Sequence, residues 1–240
     1  MWVGMEQLAV LQFKSGDDFE ENLEQLITLF SQSDADIVLA PEVCLTGFCY
    51  SRMAEAARFS DAAVFKLLKI VGKRVLVLTV IEEIDGGFYN VAKVLHGGVV
   101  VHQQAKQKLF LLGEEHRYFQ SGSAGAIRPF EVAGIKMAIL VCFELRFPEL
   151  WQQVEGAEII MVPAMWGKNR ASHLAILSQA LAVADRAFVM VSDSANDDMG
   201  RESAVITPWG ERTSDNDAEI ITLSFDRREI KKIKRAIPYE

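Results

Sequence analysis

The sequence predicts an α/β fold of four layers, an αββα sandwich in which helices cover the outer faces of two stacked mixed sheets. Three observations predict it. Short apolar runs alternate with amphipathic stretches along most of the 240 residues, the pattern of strands crossed over by helices. Hairpin signals at Gly97-Gly98 and at Gly134 add antiparallel pairs to a sheet that crossovers alone would make parallel. Half of the residues are hydrophobic, enough to bury one sizeable core. No linker, repeat or low-complexity tract divides the chain, so 1–240 is read as one domain.

Each element has its own signal. Gln7–Phe13 is an apolar run, followed by a helix over Asp17–Ser31 that spaces Phe19, Leu23, Leu26, Ile27 and Phe30 on one face. Asp36–Ala40 is a short strand ending in Pro41-Glu42. Asp61 caps a helix over Ala62–Gly72, with Val64, Leu67, Leu68 and Val71 on one side. Arg74–Ile81 is a Val- and Leu-rich strand, and Phe88–His96 with Val99–Gln104 forms a hairpin. The irregular stretch 105–126 has the length of a functional loop. Phe130–Val132 and Lys136–Cys142 flank Gly134 as a second hairpin, and Pro148 starts a helix through Gln153. Glu158–Pro163 is a strand, Ala171–Arg186 a long helix and Phe188–Asp193 a strand. Ser203–Thr207, the turn at 208–211 and the strand Glu219–Phe225 complete the inventory.

Composition narrows the partners. Lys plus Arg total 25 against 33 Asp plus Glu, a net charge of −8 with no basic block. That argues against binding nucleic acid or an anionic membrane. The start, MWVGMEQLAVLQF, lacks the basic and long apolar regions of a secretory leader. No run approaches the roughly 20 apolar residues of a membrane span. Three cysteines, an odd number in a chain that needs no covalent staples, point to a reduced, cytoplasmic setting.

Three reactive side chains stand just past apolar strands: Glu42 after IVLAP, Lys106 after VVVHQQA and Cys142 after MAILV. Sites in α/β folds collect at the carboxyl ends of strands. Singly, each has a plain structural reading: a solvated turn glutamate, a surface lysine, a packed cysteine. Together they make a chemical set. A thiol is mostly protonated near neutrality, so a nucleophilic cysteine needs a base or a cation nearby. Glu42 can take the proton, and Lys106 can hold the charge that forms on a carbonyl oxygen under attack, with the Phe143 N–H as second donor. Of the histidines, His96, His102, His116 and His173, none sits in a Cys-His protease signature. Cys44 and Cys49 lack the further ligands of a structural zinc site and read as packing residues; no metal and no organic cofactor is called for.

Four motifs carry a family resemblance: LAPEVCLTGF at 39–48, KQKLF at 106–110, GEEHRYFQSG at 113–122 and LVCFELRFPEL at 140–150. With them the chain resembles the nitrilase, or carbon–nitrogen hydrolase, superfamily over nearly its whole length, and looks like its small amidase (omega-amidase-like) branches. The resemblance implies the αββα sandwich and attack on an amide, nitrile or carbamoyl carbon through a thioester. It implies Glu42 as general base, Lys106 as oxyanion-side cation and Cys142 as nucleophile. It also implies a second glutamate in the loop after the lysine, which selects Glu115 and leaves the adjacent Glu114 open. Two positions depart from the family's usual pattern, Lys108 in place of histidine and Glu144 in place of aspartate.

Glu144 and Arg146 can pair with each other or with the loop, and an ion pair bracing the turn is the expectation, with carboxylate binding as the other reading of Arg146. Phe143, Trp166 and Tyr50 are candidate walls of the substrate pocket, with ordinary core packing as the alternative. The expected activity is hydrolysis of a small-molecule amide; decarbamoylation of an N-carbamoyl amine or amino acid, and then nitrile hydrolysis, are the alternatives. A non-enzymatic scaffold of the same fold, or a redox-sensing thiol domain, are readings of a different class. The resemblance also implies a homodimer, for which Ala171–Arg186 offers a surface; light scattering separates it from a monomer.

Overall fold

The computed structural model describes residues 7–239. Residues 1–6, on which the reading of the leader partly rests, lie outside the described residues. The elements run β1 (Gln7–Leu11), α1 (Phe19–Gln32), β2 (Ile37–Leu39), α2 (Met53–Ile70), β3 (Val75–Ile84), β4 (Gly87–His96) and β5 (Val99–Ala105). The second half runs β6 (Phe130–Val132), β7 (Ile135–Ile139), α3 (Pro148–Val154), β8 (Ile159–Ala164), α4 (Ala171–Asp185) and β9 (Phe188–Asp193). It ends with β10 (Ala204–Ile206), β11 (Arg212–Thr213), β12 (Ile220–Ser224) and α5 (Arg227–Ala236).

These strands build two mixed sheets of six, in the orders β12-β1-β2-β3-β4-β5 and β11-β10-β9-β8-β7-β6. In each, three central strands run parallel, β1-β2-β3 and β7-β8-β9, and the flanking pairs are antiparallel. Strand period two explains the layering. Leu8, Val10, Ile37, Leu39, Val75 and Val77 face the second sheet and pack with Met137, Ile139 and Val189. The alternate residues Ala9, Leu11, Val38, Leu76 and Leu78 meet Leu23, Leu26, Phe30, Val64 and Leu67 of α1 and α2. On the far side, Leu150 of α3 and Leu174 and Leu181 of α4 join the core of the second sheet. The result is the αββα sandwich.

Helix α1 starts where its side chains dictate: Asp18 accepts from the N–H groups of Glu20 and Glu21 at 2.9 and 3.2 Å. Several elements differ from the sequence reading. Helix α2 begins at Met53, not at Asp61, which lies exposed within it. Ala54, Ala56 and Ala57 favour the helix, and Met53, Ala56 and Ala57 bury against the core. Strand β3 runs on to Ile84 and turns through Asp85-Gly86, both at positive φ (50° and 78°), into β4; that Asp-Gly is a hairpin signal the apolar pattern hid. Helix α5 was not anticipated, because RREIKKIKRA offers only Ile230 and Ile233 to bury. No helix among the described residues is long and apolar enough to cross a membrane.

Candidate active site

Loops beyond strands of both sheets, β2 and β5 of the first and β7 of the second, bring Glu42, Lys106, Glu115 and Cys142 together. Lys106 Nζ donates to Glu42 Oε1 at 2.7 Å and to Glu115 Oε1 at 2.8 Å. Glu42 and Lys106 are fully buried and Glu115 almost so. Glu42 reaches its place just past β2, where its N–H donates to Ala164 O of the second sheet at 3.2 Å. Val43 follows at φ +42°, its N–H held by Thr79 Oγ1 at 2.6 Å. Of the two candidate glutamates, Glu115 meets the lysine and its Oε2 accepts the Phe110 N–H at 3.0 Å. Glu114 is exposed, left-handed at φ +57° and paired with Arg117 at 2.9 Å.

Asn90 was not singled out from the sequence, yet it stands between Glu42 and Lys106. Its Nδ2 donates to Glu42 Oε1 at 2.9 Å, and its carbonyl accepts the Lys106 N–H at 2.8 Å. The available signal was an asparagine inside the apolar strand FYNVAKV, since a buried amide in a sheet requires partners.

Cys142 does not end a strand. Strand β7 stops at Ile139, and Cys142 opens a tight helical turn, Cys142–Arg146, at φ +49°. A left-handed non-glycine residue costs about 1–2 kcal/mol, so something must hold the turn. Glu144 does. Its Oε2 accepts the Val141 N–H at 2.6 Å, and its Oε1 accepts the N–H groups of Gln107 and Lys108 at 2.5 and 3.4 Å. The fully buried carboxylate ties the cysteine turn to the segment leaving Lys106. The expected Glu144–Arg146 ion pair is therefore absent: three backbone N–H groups already occupy the carboxylate. Arg146 lies with its guanidinium 4.8 Å from the Trp166 ring centre and donates to His173 Nδ1 at 3.0 Å. Lys108 sits over Phe147 at 4.8 Å and 3.4 Å from Glu149.

Burial raises the Glu144 carboxyl to about 7, against the lowering effect of the N–H groups it accepts. As pH rises from its unfolded value through about 7, the folded protein must ionise it in a buried site, so its contribution to stability falls over that window. Glu144→Gln loses an acceptor and turns an amide N–H toward a buried backbone donor, costing about 1–3 kcal/mol. The deficit against wild type should be largest near pH 5 and narrow toward pH 8. Thermal unfolding of both proteins across that range reads it, and a deficit that widens with pH refutes it.

Burial pushes the Cys142 thiol well above its ordinary pKa, and the neighbouring Glu42 carboxylate adds to the shift; the Lys106 ammonium and a hydrogen bond from the Met165 N–H oppose them. The resting group is a thiol beside a base. Glu42 Oε2 is buried without a conventional hydrogen bond, and the carboxylate acts on the thiol both as a charge and as an acceptor. Burial works against the Lys106 charge, but Glu42, Cys142 and Glu115 outweigh it and its pKa is raised. Burial raises Glu115, with Lys106 opposing and Glu42 adding to the rise. One ammonium thus serves two carboxylates.

Cys142 opens onto a cleft whose lining includes Phe110, Phe143, Trp166, Arg146 and Arg170. The Arg170 guanidinium lies 5.1 Å from the Phe110 ring centre. No salt bridge is found for either arginine among the described residues, and both burial and the Arg170 charge bear on the Arg146 cation. The sequence reading passed over Arg170, which lies outside the four motifs. Tyr50 is outside this lining: its hydroxyl donates to Gly113 O at 2.8 Å and its ring stacks on Tyr118 at 4.1 Å, bracing the loop that carries Glu115.

Residues 7–235 match the family model described as carbon-nitrogen hydrolase. The 2-oxoglutaramate amidase of Bacillus subtilis (strain 168) is 27% identical, covering 85% of this chain and 83% of its own. The omega-amidase YafV of Escherichia coli (strain K12) is also 27% identical, over 78% of this chain and 75% of its own. Among solved structures, a CN-hydrolase superfamily protein of Xanthomonas campestris, with an arsenic adduct in its active site, superposes with a TM-score of 0.86. It covers 97% of this chain and 95% of its own at 20% identity. An amidase from Nesterenkonia sp. does so with a TM-score of 0.82 at 20% identity, covering 97% of each chain.

Proposed function

Because this chain belongs to the carbon–nitrogen hydrolase family, we propose that it hydrolyses the amide of a small, carboxylate-bearing molecule through a thioester on Cys142. One observation carries the reading: a thiol, a carboxylate and a buried ammonium meet beside a cleft lined by two arginines that have no carboxylate partner among the described residues. The names of its relatives, an amidase of 2-oxoglutaramate and an omega-amidase, support an amide substrate. Guanidinium groups match carboxylates in charge and geometry.

The steps follow from the set. Glu42 takes the thiol proton as Sγ bonds to the amide carbon, and the carbonyl becomes an oxyanion held by Lys106 and the Phe143 N–H. The oxyanion collapses, the C–N bond breaks, and protonated Glu42 gives its proton to the departing nitrogen, releasing ammonia. Water then attacks the thioester while Glu42 accepts its proton. The C–S bond breaks, the free acid leaves, and the proton returns to sulfur. A free thiol suits a reduced, cytoplasmic compartment.

Ammonia release from a panel of carboxylate-bearing amides, neutral amides, N-carbamoyl amino acids and nitriles tests the proposal. Carboxylate-bearing amides should lead. Carbon dioxide accompanying ammonia would move the reading to the N-carbamoyl alternative, which the same arginines suit. Arg170→Ala or Arg146→Ala should raise KM for the charged amide about 10- to 100-fold, the worth of a charged hydrogen bond, and leave neutral amides within about threefold. Equal losses on both classes would remove the arginines from carboxylate recognition.

A further inference from the structure

We infer that Asp193 is a positioning residue for Cys142, holding the segment 165–167 so that the Met165 N–H faces the cysteine sulfur. Asp193 closes β9, paired with Ala164 at the end of β8, and it is fully buried. No salt bridge to it is found among the described residues; backbone donors surround it instead. Its Oδ1 accepts the Trp166 N–H at 2.8 Å and the Ser194 N–H at 3.1 Å, and its Oδ2 accepts the Glu202 N–H at 3.1 Å. One carboxylate thus joins the loop after β8 to the loop after β9.

The loop after β8 is the one that matters for the sulfur. Met165, Trp166 and Gly167 line the same cleft as Cys142, and the Met165 N–H is among the groups that act on the thiol. The two loops are laced further by Gly200 N–H to Trp166 O and Lys168 N–H to Asp198 O, both 2.8 Å, and by a bridge between Gly167 and Met199. The fit around Asp193 is close. A Cβ at Gly200 would lie 3.1 Å from Asp193 Oδ2 and 3.0 Å from Ala171 Cβ, so glycine is what lets the second loop approach the carboxylate. Such an apparatus exceeds what capping a strand requires. A carboxylate buried among donors, rather than an apolar residue, fixes where each N–H points.

A donor aimed at sulfur lowers the cost of forming the thiolate, so Asp193 sets the reactivity of Cys142 at one remove. The inference rests on Cys142 being the reacting group, and the test reads that thiol directly as well as turnover. Wild-type protein, Asp193→Ala and Asp193→Asn are treated with iodoacetamide. The alkylation rates of Cys142 and Cys49 are followed by peptide mass spectrometry, alongside ammonia release and thermal unfolding. Asp193→Ala should slow Cys142 labelling and kcat about tenfold while Cys49 labelling stays within twofold. Asp193→Asn keeps an acceptor for Trp166 and Ser194 but sets an amide N–H against that of Glu202. It should therefore lose Tm yet retain Cys142 labelling within about threefold of wild type, a separation that a merely structural role would not produce.

Asp193→Ser, whose hydroxyl is too short to take over the carboxylate's contacts, serves if the alanine protein does not fold, and should behave as alanine does. Cys142 labelling unchanged in the folded alanine or serine protein overturns the inference, as does an asparagine protein that loses as much reactivity as alanine. Wild-type Cys142 reacting no faster than Cys49 would instead overturn the reading of Cys142 as nucleophile, and this inference with it.

Discussion

Cys142→Ala should fold, keep its Tm within a few degrees of wild type and lose amide turnover by about four orders of magnitude or more, as removal of a nucleophile does elsewhere. The stability half of this expectation comes from the turn. Cys142 is left-handed at φ +49°, and alanine meets the same steric cost there, while Glu144 continues to hold the turn. Removing the sulfur leaves a small gap at the edge of an open cleft, where little packing is lost. Serine should be as inactive as alanine, because an alcohol asks the same base to remove a far less acidic proton. Glycine extends the argument: it relieves the left-handed cost and should melt no lower than alanine. Ammonia release and thermal unfolding on the three proteins decide the matter. Full activity in the alanine protein would end the assignment of Cys142.

Lys106→Met should be the most damaging change to fold and chemistry together. Both ion pairs of Lys106 are buried, at 2.7 and 2.8 Å. Taking away the ammonium leaves two carboxylates facing each other without a counter-charge. Breaking a buried pair from one side costs about 3–5 kcal/mol, and here the partners repel as well. Glu115, already raised by burial and by Glu42, should rise further and take up a proton, leaving the variant less stable as pH increases. Turnover should fall at least as far as for an oxyanion donor, about 10²–10³-fold, with the loss in kcat rather than KM. Lys106→Arg should not rescue it, since a forked guanidinium does not fit where one nitrogen serves two acids. A methionine protein that melts with wild type at pH 8 would mean the cluster is not ionised as described.

The fold and the side chains that the structure brings together were legible because each left a local mark. Strand period two and hairpin glycines gave the layers, and reactive residues just past apolar runs gave Glu42, Lys106 and Cys142. What stayed hidden was partnership at long range. Glu144 looked like half of an ion pair with Arg146 because the two are neighbours in sequence, yet its donors include Gln107 and Lys108, 37 and 36 residues away. Asn90 lies inside one predicted strand and Asp193 ends another, and neither was singled out, because the groups they hold are distant in sequence. Arg170 had no sign beyond its charge. Helix α5 has too few apolar residues for periodicity to register, and α2 starts early because alanine propensity and burial outweigh a capping aspartate.

Glu42 and Lys106 leave the first sheet, whereas Cys142 and the loop Asp193 anchors belong to the second, and the Glu42 N–H to Ala164 O bond crosses between them. The reactive set therefore straddles a seam. Neither layer holds both the proposed base and the proposed nucleophile, and no cut of the chain between β5 and β6 leaves both on one fragment. Chemistry here is a property of alignment, present only while the two sheets stay in register with one another.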